Sequence, residues 1–148
     1  MENNYTEINL EGFQVVSGDM FAHLPRKSEP TCTIFPNAIS FSKSTVELLN
    51  ACEHIRIEIN PKTHGLLVVP VNSKDRDGVR WIKSIKTVNP KKIECSTFTK
   101  QLYETWGWED ELRYRAVGKL VTADNKLMMF FDFSKAEVWK KSEVGGHR

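Results

Sequence analysis

The stretch HIRIEINPKTHGLLVVPV, residues 54–71, decides the fold that we expect for this chain. Isoleucine occupies positions 55, 57 and 59, and polar residues occupy positions 54, 56 and 58, which is the period-two alternation of a strand with one buried face. Turn-forming residues fill positions 60–65, and the apolar run at 66–71 predicts a central strand covered on both faces. The stretch therefore predicts a β-hairpin.

A strand and a short helix are predicted before this hairpin. Positions 31–35 and 38–41 are rich in β-branched and aromatic residues and are separated by Pro36 and Asn37. They form either two strands joined by a turn or one strand with a bulge. Positions 44–47 read Ser-Thr-Val-Glu, the S-x-x-E form of a capping box, so Ser44 is expected to cap a helix with help from Glu47.

The same order of elements is expected a second time, between residues 93 and 133. Ser96 can cap a helix in which Phe98, Leu102 and Trp106 recur every four residues. Gly107 follows where a left-handed C-terminal residue is expected. Strands at 113–121 and 126–133 then flank a turn at 123–125 and predict a second hairpin.

Two such units, at about 38–71 and 93–133, predict an α+β fold in which two β-α-hairpin units pack as a pseudo-dimer. Each unit leaves an apolar face that must be buried against a neighbour. The 148 residues fit one domain. We expect this domain to span 1–141, with a basic connector at 74–92 between the units and a flexible tail at 142–148.

The composition is that of a globular protein, with 40% hydrophobic and 27% charged residues. The net charge of +2 is too small to demand a nucleic-acid partner, so the distribution of charge matters more than its total. The three cysteines lack the spacing of a zinc or redox site and are expected to be free thiols. No signal peptide or membrane-spanning run is evident, so we expect a cytoplasmic protein.

The connector has the most unusual charge distribution in the chain. Between 74 and 92 it holds seven Lys or Arg residues and only two Asp, with one tryptophan among them. Such a segment could neutralise phosphates, which supplies most sequence-independent affinity for nucleic acid. A solvated linker with its tryptophan in the core, or a surface for an acidic protein, are the other interpretations. The candidate binding residues are Lys74, Arg76, Arg80, Trp81, Lys83 and Lys86.

A second candidate surface lies on the second hairpin. Arg113, Arg115 and Lys119 occupy alternate positions and so share one face of a predicted strand. Two-stranded ribbons can enter a major groove, so this arrangement is compatible with a β-type DNA reader. Any solvated strand face shows the same alternation.

The sequence offers no strong catalytic constellation. His23 and Arg26 match the H-x-x-R pair of tyrosine recombinases, but no Arg or Lys precedes His23 to stabilise the transition state. No glycine-rich phosphate loop occurs. We therefore expect no catalytic residue, no metal and no cofactor, and an uncharacterised enzyme is the third and least favoured class of function.

Two resemblances to known families add to these expectations. The segments AISFSK at 38–43, IRIEI at 55–59 and LLVVP at 66–70 resemble the swapped-hairpin half of AbrB-type transcription regulators, and two halves in one chain resemble the MraZ variant. This resemblance implies DNA contacts at Lys43 and Arg56. The segments NYTE at 4–7, NLEGFQVVSG at 9–18, YR at 114–115 and GKL at 118–120 are similar to small integrase-like proteins of Firmicutes prophages and conjugative elements. Some small proteins on such elements are anti-CRISPR inhibitors.

The favoured function is accordingly a non-enzymatic binding protein of a mobile genetic element that binds DNA and acts in regulation. The alternative is an anti-CRISPR protein that inhibits a type II CRISPR nuclease by binding it. The expected partner is therefore DNA or a nucleic-acid-binding protein such as that nuclease. No membrane partner is expected, and a homodimer is left open.

Overall fold

The computed structural model of the protein describes residues 6–16, 29–84 and 86–140. Nine strands and two α-helices lie in these ranges: β1 (Thr31–Phe35), β2 (Ala38–Phe41), α1 (Lys43–Leu48), β3 (His54–Asn60), β4 (Gly65–Val71), β5 (Val79–Arg80), β6 (Ile93–Glu94), α2 (Ser96–Trp106), β7 (Leu112–Ala123), β8 (Lys126–Asp132) and β9 (Glu137–Lys140). A 3₁₀ turn, Phe133–Lys135, separates β8 from β9. The predicted tail at 142–148 and the pair His23 and Arg26 lie outside the described residues.

All nine strands belong to one antiparallel sheet with the order β5-β3-β4-β8-β7-β1-β2-β6, and β9 also pairs with β7. Strands and bridges make up 43% of the described residues and helices, with the 3₁₀ turn, 16%, and the sheet curls into a half-barrel. The predicted α+β pseudo-dimer of two β-α-hairpin units is therefore wrong. The reason is that β4 and β8 pair directly, from Gly65↔Asp132 to Val68↔Met129. The two hairpins extend a single sheet and do not pack against each other as separate units.

The long strand β7 holds the two parts of this sheet together. Its first half pairs with β1 and β9, and its second half pairs with β8. β9 and β8 thus lie antiparallel to β7 and together cover almost the whole length of β7. The turn residues Asp124 and Asn125 have φ values of +53° and +63°. These values belong to the type I′ turn that matches the twist of a hairpin, which confirms the predicted turn.

A backbone bridge links the two ends of the half-barrel. The chain that leaves β5, at one end of the sheet, pairs through Ile82 with Pro90, just before the chain enters β6 at the other end. The N–H of Lys91 also donates to the carbonyl of Trp81 at 2.9 Å. The segment predicted as a connector between two units therefore joins the two ends of one sheet.

Helix α1 lies where the sequence predicts a helix, but its first turn is built differently. Ser42, and not Ser44, occupies the N-cap position. Its hydroxyl oxygen accepts a hydrogen bond from the N–H of Thr31 at 2.9 Å, whereas Ser44 donates its hydroxyl to the carbonyl of Glu29. These two serines attach the helix start to the segment around β1 and do not form the predicted capping box.

Helix α2 follows its prediction more closely. Leu102 and Trp106 are buried, Phe98 packs at the edge of the core, and Gly107 ends the helix with a φ of +67°. The N-cap position is held by Cys95, without a side-chain cap, so Ser96 is the first helical residue rather than the cap.

Both helices cover the inner face of the sheet and share one apolar core with it. Aromatic rings dominate the part beneath α2: Trp108 stacks on Tyr114 with ring centroids 3.8 Å apart and planes 7° from parallel. The hydroxyl of Tyr103 donates to the carbonyl of Leu112 at 2.6 Å, which attaches α2 to the first residue of β7. The core therefore fixes the position of β7, and with it the outward face of that strand. No helix within the described ranges is long and apolar enough to cross a membrane.

Candidate nucleic-acid interface

The outward face of β7 carries a row of cations. Tyr114 and Ala116 of this strand are buried in the core. Because side chains alternate between the two faces of a strand, Arg113, Arg115 and Lys119 lie together on the opposite face. All three residues were candidates from the sequence, and the structure brings them onto one surface.

Two of these cations lie over aromatic rings from neighbouring strands. The guanidinium carbon of Arg113 is 4.8 Å from the centroid of the Phe35 ring, which β1 supplies. The guanidinium carbon of Arg115 is 4.0 Å from the centroid of the Trp139 ring, which β9 supplies. Both distances are within the range of an attractive cation–π interaction.

The third cation has an aromatic neighbour on the same face. Lys119 lies directly opposite Phe130 in the pairing of β7 with β8. Lys119 is exposed and Phe130 is half-buried. Cations and aromatic rings thus stand side by side at three of the four outward positions from Arg113 to Lys119, and Val117 takes the fourth.

One cation of this row is neutralised by an acid. Arg115 donates to a single carboxylate oxygen of Glu137, from Nε at 2.9 Å and from Nη2 at 2.7 Å. The Arg115 side chain keeps 19% of its surface exposed, and that of Glu137 keeps 34%. Arg113 and Lys119 form no ion pair with any described residue.

An open cleft of about 1180 Å³ lies at the Phe35 end of the row. Lys92 reaches the same ring as Arg113, with its Nζ 4.3 Å from the Phe35 centroid. The end of the basic segment and the start of β7 therefore meet on one aromatic residue. The charged residues that line the cleft are three cations and three acids: Lys92, Arg113, Lys140, Glu109, Asp110 and Glu111.

Trp81, a candidate for partner binding, lies inside the core. Its side chain is fully buried, and its indole Nε1 donates to the carbonyl of Cys52 at 2.7 Å. It also packs edge-on against Phe41, with ring centroids 5.2 Å apart. A base cannot stack on a ring in this position, so Trp81 is not part of the surface described above.

The remaining candidates in the basic segment lie apart from β7. The Nη2 of Arg80 lies 3.6 Å from a carboxylate oxygen of Glu53 in an ion pair. Its Nε donates a hydrogen bond to the carbonyl of Ile82. Lys83 and Lys86 are exposed on the loop that follows Ile82, and neither forms an ion pair with a described residue.

The two candidates nearest the end of β4 are both exposed. Lys74 lines a second, smaller cleft, together with Arg56 and Lys126. Arg76 lines neither of the two clefts. The basic segment therefore contributes Trp81 to the core, Lys83 and Lys86 to an exposed loop, and Lys74 to a second cleft.

Four residues of the surface were not among the candidates from the sequence: Phe35, Lys92, Phe130 and Trp139. Phe35 and Phe130 stand in apolar runs, where an outward-facing ring cannot be told from a core ring without the register of the strands. Trp139 lies in a four-residue strand with exposed and half-buried positions in alternation, a weak signal by itself. Lys92 was counted in the charge of the segment but was not singled out.

The described part of the chain contains no group of three or more His, Cys, Asp or Glu side chains that could hold a metal ion. All three cysteines are free. Burial raises the pKa of the Cys32 thiol well above its ordinary value, and burial likewise raises the pKa of Cys52. Both thiols are thereby held in the protonated, weakly nucleophilic form at neutral pH.

No family model matches the chain, and no curated protein or solved structure is significantly similar to it.

Proposed function

We propose that this protein binds single-stranded nucleic acid along the outward face of β7 and acts by binding, without making or breaking bonds. The observation that carries this proposal is the row of cation–aromatic neighbours described above. Arg113 with Phe35, and Lys119 with Phe130, mark the two ends of that row.

The chemistry of this row suits a strand whose bases are unpaired. Proteins that bind single strands combine cations that follow the phosphates with aromatic rings or guanidinium planes on which bases stack. A duplex hides the faces of its bases, so flat rings on a sheet surface add little affinity for it. The row therefore favours a single strand over the major-groove contact that the sequence allowed.

The length of the surface is consistent with this ligand. The row runs from Arg113 to Lys119 of β7, which corresponds to about 20 Å of extended strand. Single-strand binding sites on β-folds typically span roughly 4–16 nucleotides. A short oligonucleotide can thus contact the whole row at once.

The test measures fluorescence anisotropy of a labelled single-stranded oligonucleotide and of the matching duplex over a salt series. We expect tighter binding of the single strand and an affinity that falls as salt rises, because bound cations release counterions from the phosphates. Lys119→Ala should weaken binding and reduce the slope of log K against log salt by about 0.7.

Lys100→Ala provides the matched control. Lys100 is exposed on α2, which covers the inner side of the sheet, away from the outward face of β7. Equal losses for Lys119→Ala and Lys100→Ala, or an affinity independent of salt, would overturn the proposal. Phe130→Ala separates stacking from charge, because each stacked base contributes roughly 1–3 kcal/mol.

The setting that we propose follows the sequence-based expectation. The protein would act in the cytoplasm, as a DNA-binding regulator encoded by a mobile genetic element. Three free cysteines are consistent with a reducing compartment. Binding alone is sufficient for a regulatory role, because a strand held by this protein is not accessible to other proteins.

A second candidate is inhibition of a type II CRISPR nuclease by direct binding. The cleft at Phe35 favours it, because three cations and three acids around an aromatic ring suit a protein surface better than a run of phosphates. A pull-down with the purified nuclease, without nucleic acid, tests this candidate. Retention that Glu111→Lys abolishes would support it, and absence of retention would exclude it.

A further inference from the structure

The second cleft, about 600 Å³ in volume, collects cations from three separate segments. Arg56 comes from β3, Lys74 from the turn after β4, and Lys126 from the first residue of β8. No step of the proposed single-strand binding uses this cleft, although it lies next to the β7–β8 turn.

The charges in the cleft are not balanced. Arg56 is held by two acids: its Nη2 lies 2.9 Å from a carboxylate oxygen of Glu58, and its Nη1 lies 2.9 Å from one of Asp75. Lys74 and Lys126 form no ion pair with any described residue. Two lysines that line the cleft therefore have no described carboxylate of their own, and Asp75, the acid that lines it, is engaged by Arg56.

The backbone around the cleft is fixed by short hydrogen bonds. The carboxamide oxygen of Asn72 accepts from the N–H of Lys74 at 2.9 Å, and a carboxylate oxygen of Asp75 accepts from the N–H of Asp77 at 2.8 Å. Asp75 thus orders the turn and anchors Arg56 at the same time. A ligand that enters the cleft would meet a backbone turn and an Arg56 guanidinium already held in place.

From this geometry we propose that the cleft is a binding site for a phosphoryl group, with Lys74 and Lys126 as its ligands and Arg56 as its fixed wall. A dianionic phosphoryl group supplies the charge that the two lysines lack and accepts several charge-assisted hydrogen bonds. If the phosphoryl group is the end of a nucleic-acid strand, the inference rests on the proposed binding of a single strand along β7. The site then sets the polarity and end-preference of the strand bound along β7.

The experiment compares three oligonucleotides of one sequence with a 5′-phosphate, a 3′-phosphate or hydroxyl groups at both ends. Tripolyphosphate and a free nucleoside triphosphate are titrated separately by calorimetry. We expect one of the phosphorylated oligonucleotides to bind about tenfold tighter than the hydroxyl-ended one, since hydrogen bonds to charged groups contribute this much. Lys74→Ala and Lys126→Ala should each remove most of that difference, whereas Lys100→Ala should leave it unchanged.

The outcomes separate this inference from the proposed function. Equal affinity for all three oligonucleotides, with no binding of tripolyphosphate, overturns the phosphoryl site and leaves single-strand binding intact. Binding of tripolyphosphate or the nucleoside triphosphate that depends on Lys74, without binding of any oligonucleotide, supports the site, identifies its source as a free phosphate and overturns the proposed function. Lys100→Ala serves again as the control, and circular dichroism of each variant verifies that the fold is retained.

Discussion

The ring of Phe131 packs directly on the backbone of Gly118: a β-carbon at position 118 would lie 2.6 Å from Cε1 of that ring. Phe131 is fully buried, so its ring has no free space into which it can move. We predict that Gly118→Ala lowers the free energy of unfolding by about 1–3 kcal/mol, the usual cost of overpacking a core. Urea denaturation monitored by tryptophan fluorescence measures this loss.

Gly65 offers a matched comparison. A β-carbon there would lie 2.8 Å from Cε1 of Phe130, but Phe130 is only half-buried and its ring can rotate toward solvent. Gly65→Ala should therefore destabilise the protein less than Gly118→Ala. Combining Gly118→Ala with Phe131→Leu should recover part of the loss, and strictly additive effects would contradict the proposed contact.

Trp81→Phe tests the anchor of the basic segment. The change removes the hydrogen bond from the indole Nε1 to the carbonyl of Cys52 and leaves that carbonyl without this donor. We expect a loss of about 1–3 kcal/mol in the free energy of unfolding, measured by chemical denaturation. Trp139→Phe is the control, because Trp139 is half-buried on the outward face and should change stability much less. Similar losses for both variants would contradict the core position of Trp81.

The free energy of unfolding should fall at alkaline pH because two buried side chains, Tyr103 and Cys32, hold their protons in the folded state. Burial raises the pKa of the Tyr103 hydroxyl and of the Cys32 thiol, so the folded protein keeps their protons where the unfolded chain loses them. Their contribution is complete below the unfolded pKa values, about 8.5 for Cys and about 10 for Tyr, and is lost as pH rises above them. Denaturation midpoints from pH 7 to 11 should decline, and Cys32→Ala should flatten the earlier part of the decline. A flat profile for the wild-type protein would contradict this account.

Glu137→Gln should strengthen nucleic-acid binding. The carboxylate of Glu137 neutralises Arg115, and its removal leaves one more cation for the phosphates. We expect severalfold tighter binding of a single strand at low salt and a salt slope steeper by about 0.7. Fold stability should change by no more than about 1 kcal/mol, because both side chains are partly exposed. Unchanged affinity would show that Arg115 takes no part in binding.

Local sequence patterns predicted individual strands and helices well. β3 lies where the alternation predicts a strand, but of its isoleucines only Ile55 is buried and Ile59 is exposed. The turn before Gly65 and the four-residue spacing that ends in Trp106 are found at the predicted positions. Each of these signals depends only on neighbours within a few residues. The pairing of β4 with β8 joins residues more than 60 positions apart, such as Leu66 and Phe131, and no local pattern specifies it. The fold class was therefore missed although its longer strands and both helices were predicted, and the short strands β5 and β9 were not predicted.

The residues of the candidate surface also fall into those that the sequence could predict and those that it could not. Arg113, Arg115 and Lys119 could be recognised because their alternation is contained in one strand. Phe35 and Trp139 could not, because only the register of β1 and β9 against β7 places them beside those arginines. Charge counting also grouped Trp81 with the lysines around it, although its burial gives it a different role.

The bridge between Ile82 and Pro90 has a consequence for the behaviour of the protein at high concentration. Long unpaired strands at the margins of a sheet recruit strands from other molecules and grow into fibres. Here β5 and β6, at the two ends of the main strand order, have only two residues each, and the chain that joins them is bridged at Ile82 and Pro90. The molecule thus offers little template for strand-by-strand polymerisation at β5 and β6, and the margin that remains for such growth is β9 together with the part of β3 beyond Ile55, which β5 does not pair.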